Sequence, residues 1–277
     1  MTGAGGCEGI SFRTDLYEGT AEYYDRFRRP YPADLINDLV IRTGADGTGT
    51  LLDLACGTGQ VAVALHEQFA SICAVDQEPG MIGVLRRKAA ALPDAAAWQF
   101  VVAAAEEVSV PESSVDLATI GSAFHRLRRD AVAARVLRWL KPGGHLALLW
   151  PGSPNIGDAP WQAALQATMQ RWQDRPGADE RIPAGYEADR SARPDLEILR
   201  AAGFDVVSRQ EFPVTQVWTV AEIAGFVAST SVLSPAALGA DAAEFDADLR
   251  RALLSCETDG RFRQDTTFAC ELARRPC

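Results

Sequence analysis

The stretch Thr50–Asp76, TLLDLACGTGQVAVALHEQFASICAVD, constrains the fold more than any other part of the chain. An apolar run from Leu51 to Ala55, broken only by Asp53, leads into Gly57-Thr58-Gly59. Helical spacing follows at Val61, Leu65 and Phe69, and a second apolar run, Ile72 to Val75, ends on Asp76. Strand, glycine turn, helix, then a strand closed by an acid make a nucleotide-handling βαβ unit. The glycines let the backbone turn sharply and bring peptide N–H groups against a ligand with no Cβ between. An ionised Asp76 offers two acceptor oxygens, enough for both hydroxyls of a ribose. GTGQVA also satisfies the G-x-G-x-x-G/A dinucleotide fingerprint, so this stretch alone leaves an NAD-dependent dehydrogenase open beside other adenosine-cofactor enzymes.

The same rhythm continues downstream. An amphipathic helix through Val84, Leu85 and Ala89 precedes a strand at Trp98–Ala103, after a turn at Pro93-Asp94. A fourth strand, Val115–Ile120, opens into Gly121-Ser122-Ala123-Phe124-His125. A helix over Ala131–Leu140 stops at Lys141-Pro142-Gly143-Gly144, and His145–Trp150 is a fifth strand. Alternation of this kind predicts right-handed crossovers and a parallel sheet covered on both faces, with ligands outside the carboxyl ends of its strands. Those ends bring four loops together: Ala55–Gly59, Asp76–Gln77, Ala104–Glu106 and Gly121–His125.

After Trp150 the pattern changes. Helices are expected at Trp161–Trp172, Leu196–Ala202, Val220–Ala228 and Ala243–Cys256, and a polar irregular stretch over 174–195. A strand with a break at Pro213 spans Phe204–Val217, and a last strand spans Thr266–Ala273. The expected fold is therefore α/β: a Rossmann-like, seven-stranded, mostly parallel sheet with helices on both faces, an antiparallel terminal strand and a helical substrate cover. Residues 1–48 would form an N-terminal lid, 49–150 the cofactor-binding core, and 151–277 the cover inserts with the last two strands. The lid holds an aromatic and basic run, Tyr23 to Pro32, ahead of an apolar helical face at Leu35, Ile36, Leu39 and Val40. It either packs on the sheet edge or sets a tyrosine and an arginine over the cofactor.

Composition narrows the function. A formal charge of −10 and the lack of a basic stripe argue against nucleic acid as a partner. No apolar run nears the roughly 18 residues of a membrane span, and no charged-then-apolar leader is visible, so a cytoplasmic protein is expected. The glycine-rich first eleven residues read as disordered. The six cysteines form no C-x-x-C pair, and no metal site is expected.

Order and spacing of these motifs resemble the class I S-adenosylmethionine-dependent methyltransferases of the small-molecule type. The likeness covers residues 20–150 well and the rest only in topology. An acid in the strand ahead of G-x-G, here Asp53, suits a methyltransferase because it would neighbour the cationic end of the methionyl group; a dehydrogenase would be setting it beside pyrophosphate. The resemblance implies that S-adenosyl-L-methionine is held by Tyr24, Arg29, Asp53, Ala55, Gly57, Gly59, Asp76, Gln77, Met81, Ala105, Glu106 and Gly121. Asp76 takes the ribose, and the Pro79–Ile82 element lays Met81 on the adenine. Relatives often carry an acid where this chain has Ala104, and an aromatic pair where it has Arg126-Leu127.

His125 is the candidate general base for a hydroxyl or amine acceptor; the alternative is that it only bonds the cofactor or fixes its loop. His66 and His145 read as structural. Asp241, Glu244 and Asp248 share a helical face in the cover; they either solvate it or attract a polycationic acceptor. With the likeness to antibiotic-pathway methyltransferases, the second reading suggests N-methylation of an aminoglycoside, of the gentamicin type. O-methylation of a hydroxylated secondary metabolite is the alternative. Oligomeric state is not legible.

Overall fold

The computed structural model describes residues 12–93, 96–175, 181–205 and 207–277. The N-terminal tail, Asp94 of the expected turn and part of the 174–195 stretch lie outside the described residues. Helices α1 (Ala21–Phe27) and α2 (Ala33–Thr43) precede the sheet. Strand β1 (Thr50–Leu54) is followed by α3 (Gln60–Ala64), β2 (Ser71–Asp76), α4 (Pro79–Ala89) and β3 (Ala97–Val102). Then come β4 (Val115–Gly121), α5 (Arg129–Trp139) and β5 (Leu140–Trp150). Three helices follow, α6 (Pro160–Gln173), α7 (Tyr186–Ala192) and α8 (Asp195–Ala202), before β6 (Val207–Thr219). The chain closes with α9 (Val220–Ala228), α10 (Pro235–Leu238), α11 (Ala242–Cys256) and β7 (Arg261–Arg274).

The sheet has seven strands in the order β3-β2-β1-β4-β5-β7-β6. The first five pair in parallel, and β7 runs antiparallel between β5 and β6. The order reverses at β1, whose neighbours are β2 and β4, and a crevice opens at such a switch point. One face is covered by α5 and α8, which bury Val132, Val136, Ile198 and Leu199 against Leu52, Leu54, Ile120 and Leu148. The other is covered by α2 and α3 through Leu35, Leu39, Val61 and Ala62. A third core binds the cover together: Trp161, Leu165 and Trp172 of α6 pack with Phe245 and Leu249 of α11, Phe226 of α9, and Trp218 and Phe262 of the β6–β7 pair.

Several boundaries depart from expectation. The helix after the glycine turn ends at Ala64, and His66–Gln68 continue it as a single tighter 3₁₀ turn. Lys141-Pro142-Gly143-Gly144 does not separate helix from strand; it opens β5, with a register shift against Val115 and Leu117 of β4. There is no break at Pro213. It pairs in register with Thr267 on β6, an edge strand, where a residue without N–H is tolerated. β7 begins at Arg261 and pairs along the whole of β6, from Thr219↔Arg261 to Val207↔Ala273. The stretch read as irregular contains α7, which buries Tyr186.

Candidate active site

β1 delivers the site's first acid. Asp53 is 1% exposed and accepts a 2.7 Å hydrogen bond at Oδ1 from the Thr119 hydroxyl on β4. Its Oδ2 is buried with no hydrogen-bond partner. Burial pushes the carboxyl up to about 7, with the Thr119 bond and the nearby Ala62 amide opposing it. The chain then turns through Ala55 (φ +50°) and Gly57 (φ +55°), bringing the Gly57 N–H to Asp76 at the end of β2, 2.8 Å from Oδ2. The other Asp76 oxygen accepts the Glu78 N–H at 2.9 Å. Asp76 thus ties the first turn to the start of α4. Desolvation pushes its carboxyl up, and these two bonds hold it down.

A cavity of about 970 Å³ opens at these strand ends. Its walls include Tyr24, Ala55, Gly57, Asp76, Gln77, Met81, Ala105, Glu106, Gly121 and His125. Distant parts of the chain are brought together as expected. Arg29 and Asp53 instead line a smaller space of about 30 Å³, which shares Tyr24 and Gly121 with the larger one. Gly59 lines neither. It starts α3 at φ +80°, and a Cβ there would fall 2.2 Å from Leu85 Cδ1, so the residue serves helix packing. Arg29 differs from expectation too: its guanidinium stacks on Trp218 at 4.4 Å, donates to the Val217 carbonyl at 2.9 Å and pairs with Glu222 at 3.1 Å. Its buried Nε has no hydrogen-bond partner.

His125 stands on a 3₁₀ turn, its ring centre 5.5 Å from Trp150 and 6.2 Å from Tyr186. Its Nδ1 is buried and unpartnered. Desolvation first, then the charges of Arg126, Arg190 and Arg129, lower its pKa to about 3. The ring is therefore neutral at ordinary pH and a weak base. Glu106 accepts the Arg128 N–H at 2.8 Å and so braces the loop that carries His125.

Phe12, Leu16, Tyr17, Arg126 and Tyr186 also line the cavity. Arg126 stood out in the sequence as a departure from the aromatic pair of relatives; for Phe12, Leu16, Tyr17 and Tyr186 no spacing carried a motif. The acids of the cover lie elsewhere. Asp248 accepts from Arg171 at 2.9 Å and from the Trp172 indole at 3.0 Å, while Arg175 pairs with Asp241 and Glu244. Glu244 and Asp248 line a separate depression between α6 and α11.

Glycine turn, two strand-end acids and converging loops find their counterpart in known proteins. Residues 51–144 match the methyltransferase-domain family. Within that domain lie Asp53, Asp76, Met81, Ala105, Glu106 and His125, and S-adenosylmethionine is the cofactor expected of this fold and family. An uncharacterized methyltransferase of Mycobacterium tuberculosis is 35% identical over 127 residues, 46% of this chain and 48% of that protein. A ubiquinone/menaquinone biosynthesis C-methyltransferase of Geobacter sulfurreducens is 33% identical over 110 residues, 38% and 43% of the two chains. The chain spans about half the length of the curated relatives it matches. Among solved structures, the [4+2]-cyclase SpnF shares the fold at a TM-score of 0.51 and 22% identity, over 88% of this chain and 81% of that one. The methyltransferase-domain fold therefore also carries other chemistry.

Proposed function

We propose that this chain is an S-adenosylmethionine-dependent methyltransferase acting on a small organic molecule. The observation that carries the reading is Asp53, an acid with a buried, unpartnered oxygen in a space that shares Tyr24 and Gly121 with the cavity lined by Asp76. An unpaired buried oxygen of this kind suits a cation, and its site fits the cofactor. Asp53 would face the methionyl end and Asp76, with lone pairs to spare, the ribose. Met81 and Ala105 would flank the adenine. The bound cofactor supplies an electrophilic methyl carbon; positioning and exclusion of water fall to the chain.

Tyr17 and Tyr24 would close the cavity on the lid side, with the Gly121–His125 loop holding the acceptor. His125, neutral and weakly basic, would orient the acceptor by a hydrogen bond rather than take its proton. The acceptor therefore has to arrive able to attack. The aminosugar expectation rested on cover acids that are paired with arginines outside the cavity. O-methylation of a hydroxylated metabolite, the other reaction considered, is the reading we favour. Calorimetry with S-adenosylhomocysteine and NAD tests the cofactor: binding of the first and not the second is expected. A labelled-methyl screen over hydroxylated and aminated compounds tests the reaction. Cofactor binding with no transfer to any of them would leave a fold put to another use.

A further inference from the structure

Arg126 is a half-buried cation in the cavity wall with no counter-ion among the described residues. Its guanidinium lies 5.3 Å from the centre of the Phe12 ring and 5.4 Å from that of Tyr17. Among the described residues no hydrogen bond or ion pair reaches its side chain. Two of its three arginine neighbours on the same wall are paired, and the third, Arg128, is exposed. Arg129 pairs with Asp189 and Asp195, and Arg193 with Asp130. Of the acids on the wall, Asp76 accepts two backbone N–H groups, Glu78 and Glu106 accept one each, and Glu107 is exposed; none of them pairs with Arg126. Arg126 is the half-buried cation of this wall that no acid among the described residues pairs with.

The surroundings of that charge are aromatic. Phe12 meets Tyr186 edge-on at 5.1 Å, and Tyr186 lies beside His125, the residue before Arg126. A guanidinium stacked on rings keeps its plane and its fork of N–H donors, the geometry that takes a carboxylate or another oxyanion by two bonds at once.

We propose that this end of the cavity takes an acceptor bearing an acidic group, with Arg126 pairing to its anionic oxygens and the Phe12, Tyr17 and Tyr186 rings covering its apolar body. The proposal rests on the methyltransferase reading only in naming the ligand as the acceptor. Arg126 is then the residue that selects the acceptor by charge.

The test uses the full chain, with and without S-adenosylhomocysteine, titrated with benzoate, 4-hydroxybenzoate and indole-3-acetate and with the primary amide of each. At least one acid should bind roughly tenfold or more tightly than its amide, the worth of one charge-assisted hydrogen bond. Arg126→Gln should bring that ratio within twofold, and Arg126→Lys should restore part of it, because an ammonium keeps the charge and loses the fork. Affinity for S-adenosylhomocysteine should change less than threefold in either variant. Acids binding no better than amides in the natural chain, detectable or not, overturn the proposal. So does an acid preference that survives Arg126→Gln, or a loss of cofactor affinity as large as the loss of preference, which would place Arg126 on the cofactor. Failure of S-adenosylhomocysteine to bind the natural chain overturns the methyltransferase reading instead. The acid and amide titrations without it still decide the role of Arg126.

Discussion

Ionised, Asp53 carries a desolvation cost that a bound cation would offset. Its folded pKa of about 7 lies above the ordinary 3.8, so the folded chain holds a proton there that the unfolded chain has released. Stability is thus full below about pH 4, falls as the pH rises toward 7, and stays reduced above it; three units set a ceiling of about 4 kcal/mol. Asp53→Asn should raise the melting temperature at pH 8 and leave it nearly unchanged at pH 4, while weakening S-adenosylhomocysteine roughly 10- to 100-fold through the lost charge-assisted bond. In the natural chain that ligand should bind more tightly at pH 8 than at pH 6, because its ammonium needs the ionised acid; equal affinity at both would remove Asp53 from the cofactor's cationic end. His125 makes the opposite case. A true general base contributes about 10²–10⁴ in rate. Here His125→Gln, which keeps a hydrogen-bonding side chain, is expected to cost less than about tenfold in kcat and to leave the pH–rate profile between 6 and 8 unmoved. Both acids were legible because each ends or interrupts a local apolar run. Arg126 stood out only as a departure from the aromatic pair that relatives carry after the histidine, and Tyr186 not at all, since it meets the N-terminal segment only through folding and no local spacing marks it.

At the scale of elements, the N-terminal helix α1 is held down by Arg28 and by Arg29, the arginine expected at the cofactor. Arg28 lies between Tyr24, at 4.8 Å, and Phe226 of α9, at 4.2 Å, and its Nε donates to Ser229 Oγ at 2.8 Å. Phe27 packs so closely on α9 that a Cβ at Gly225 would stand 2.3 Å from its ring. With Arg29 on Trp218, these contacts fasten α1 to the cover. Arg28→Ala should cost about 1–3 kcal/mol, from two ring contacts and one bond. Hydrogen exchange should quicken in α1 and α9 together, and S-adenosylhomocysteine should bind several-fold more weakly because Tyr24 loses its support. Unchanged exchange in α9 would show that the lid is held elsewhere. Helix-forming stretches with a clear apolar face, such as α6 and α9, were legible almost to the residue. The early end of α3, the continuous β6 through Pro213 and the small helix α7 were not. Each is settled by a neighbour rather than by its own sequence: Pro213 lies on a sheet edge, and Tyr186 of α7 packs against Phe12 of the lid.

Core and cover share one sheet, and that sharing governs how the molecule should melt. β6 and β7 belong to the C-terminal part, yet β7 pairs with β5 of the core over His145–Trp150. The segments that build the cover are inserted at the ends of those strands: α6 to α8 between β5 and β6, and α9 to α11 between β6 and β7. The cover therefore cannot unfold without freeing the Thr219–Arg261 end of the β6–β7 pair, and losing β7 uncovers an edge of the core. A single cooperative transition is expected in calorimetry, with equal calorimetric and van't Hoff enthalpies. S-adenosylhomocysteine at a hundred times its Kd should stabilise the whole by about 2.7 kcal/mol. For a chain of this size that is a rise of roughly 5–11 °C, while NAD at the same concentration should give none. Two separated transitions, only one of them moved by the ligand, would instead show that residues 151–277 stand on their own core of Trp161, Trp172 and Trp218 rather than on the shared sheet.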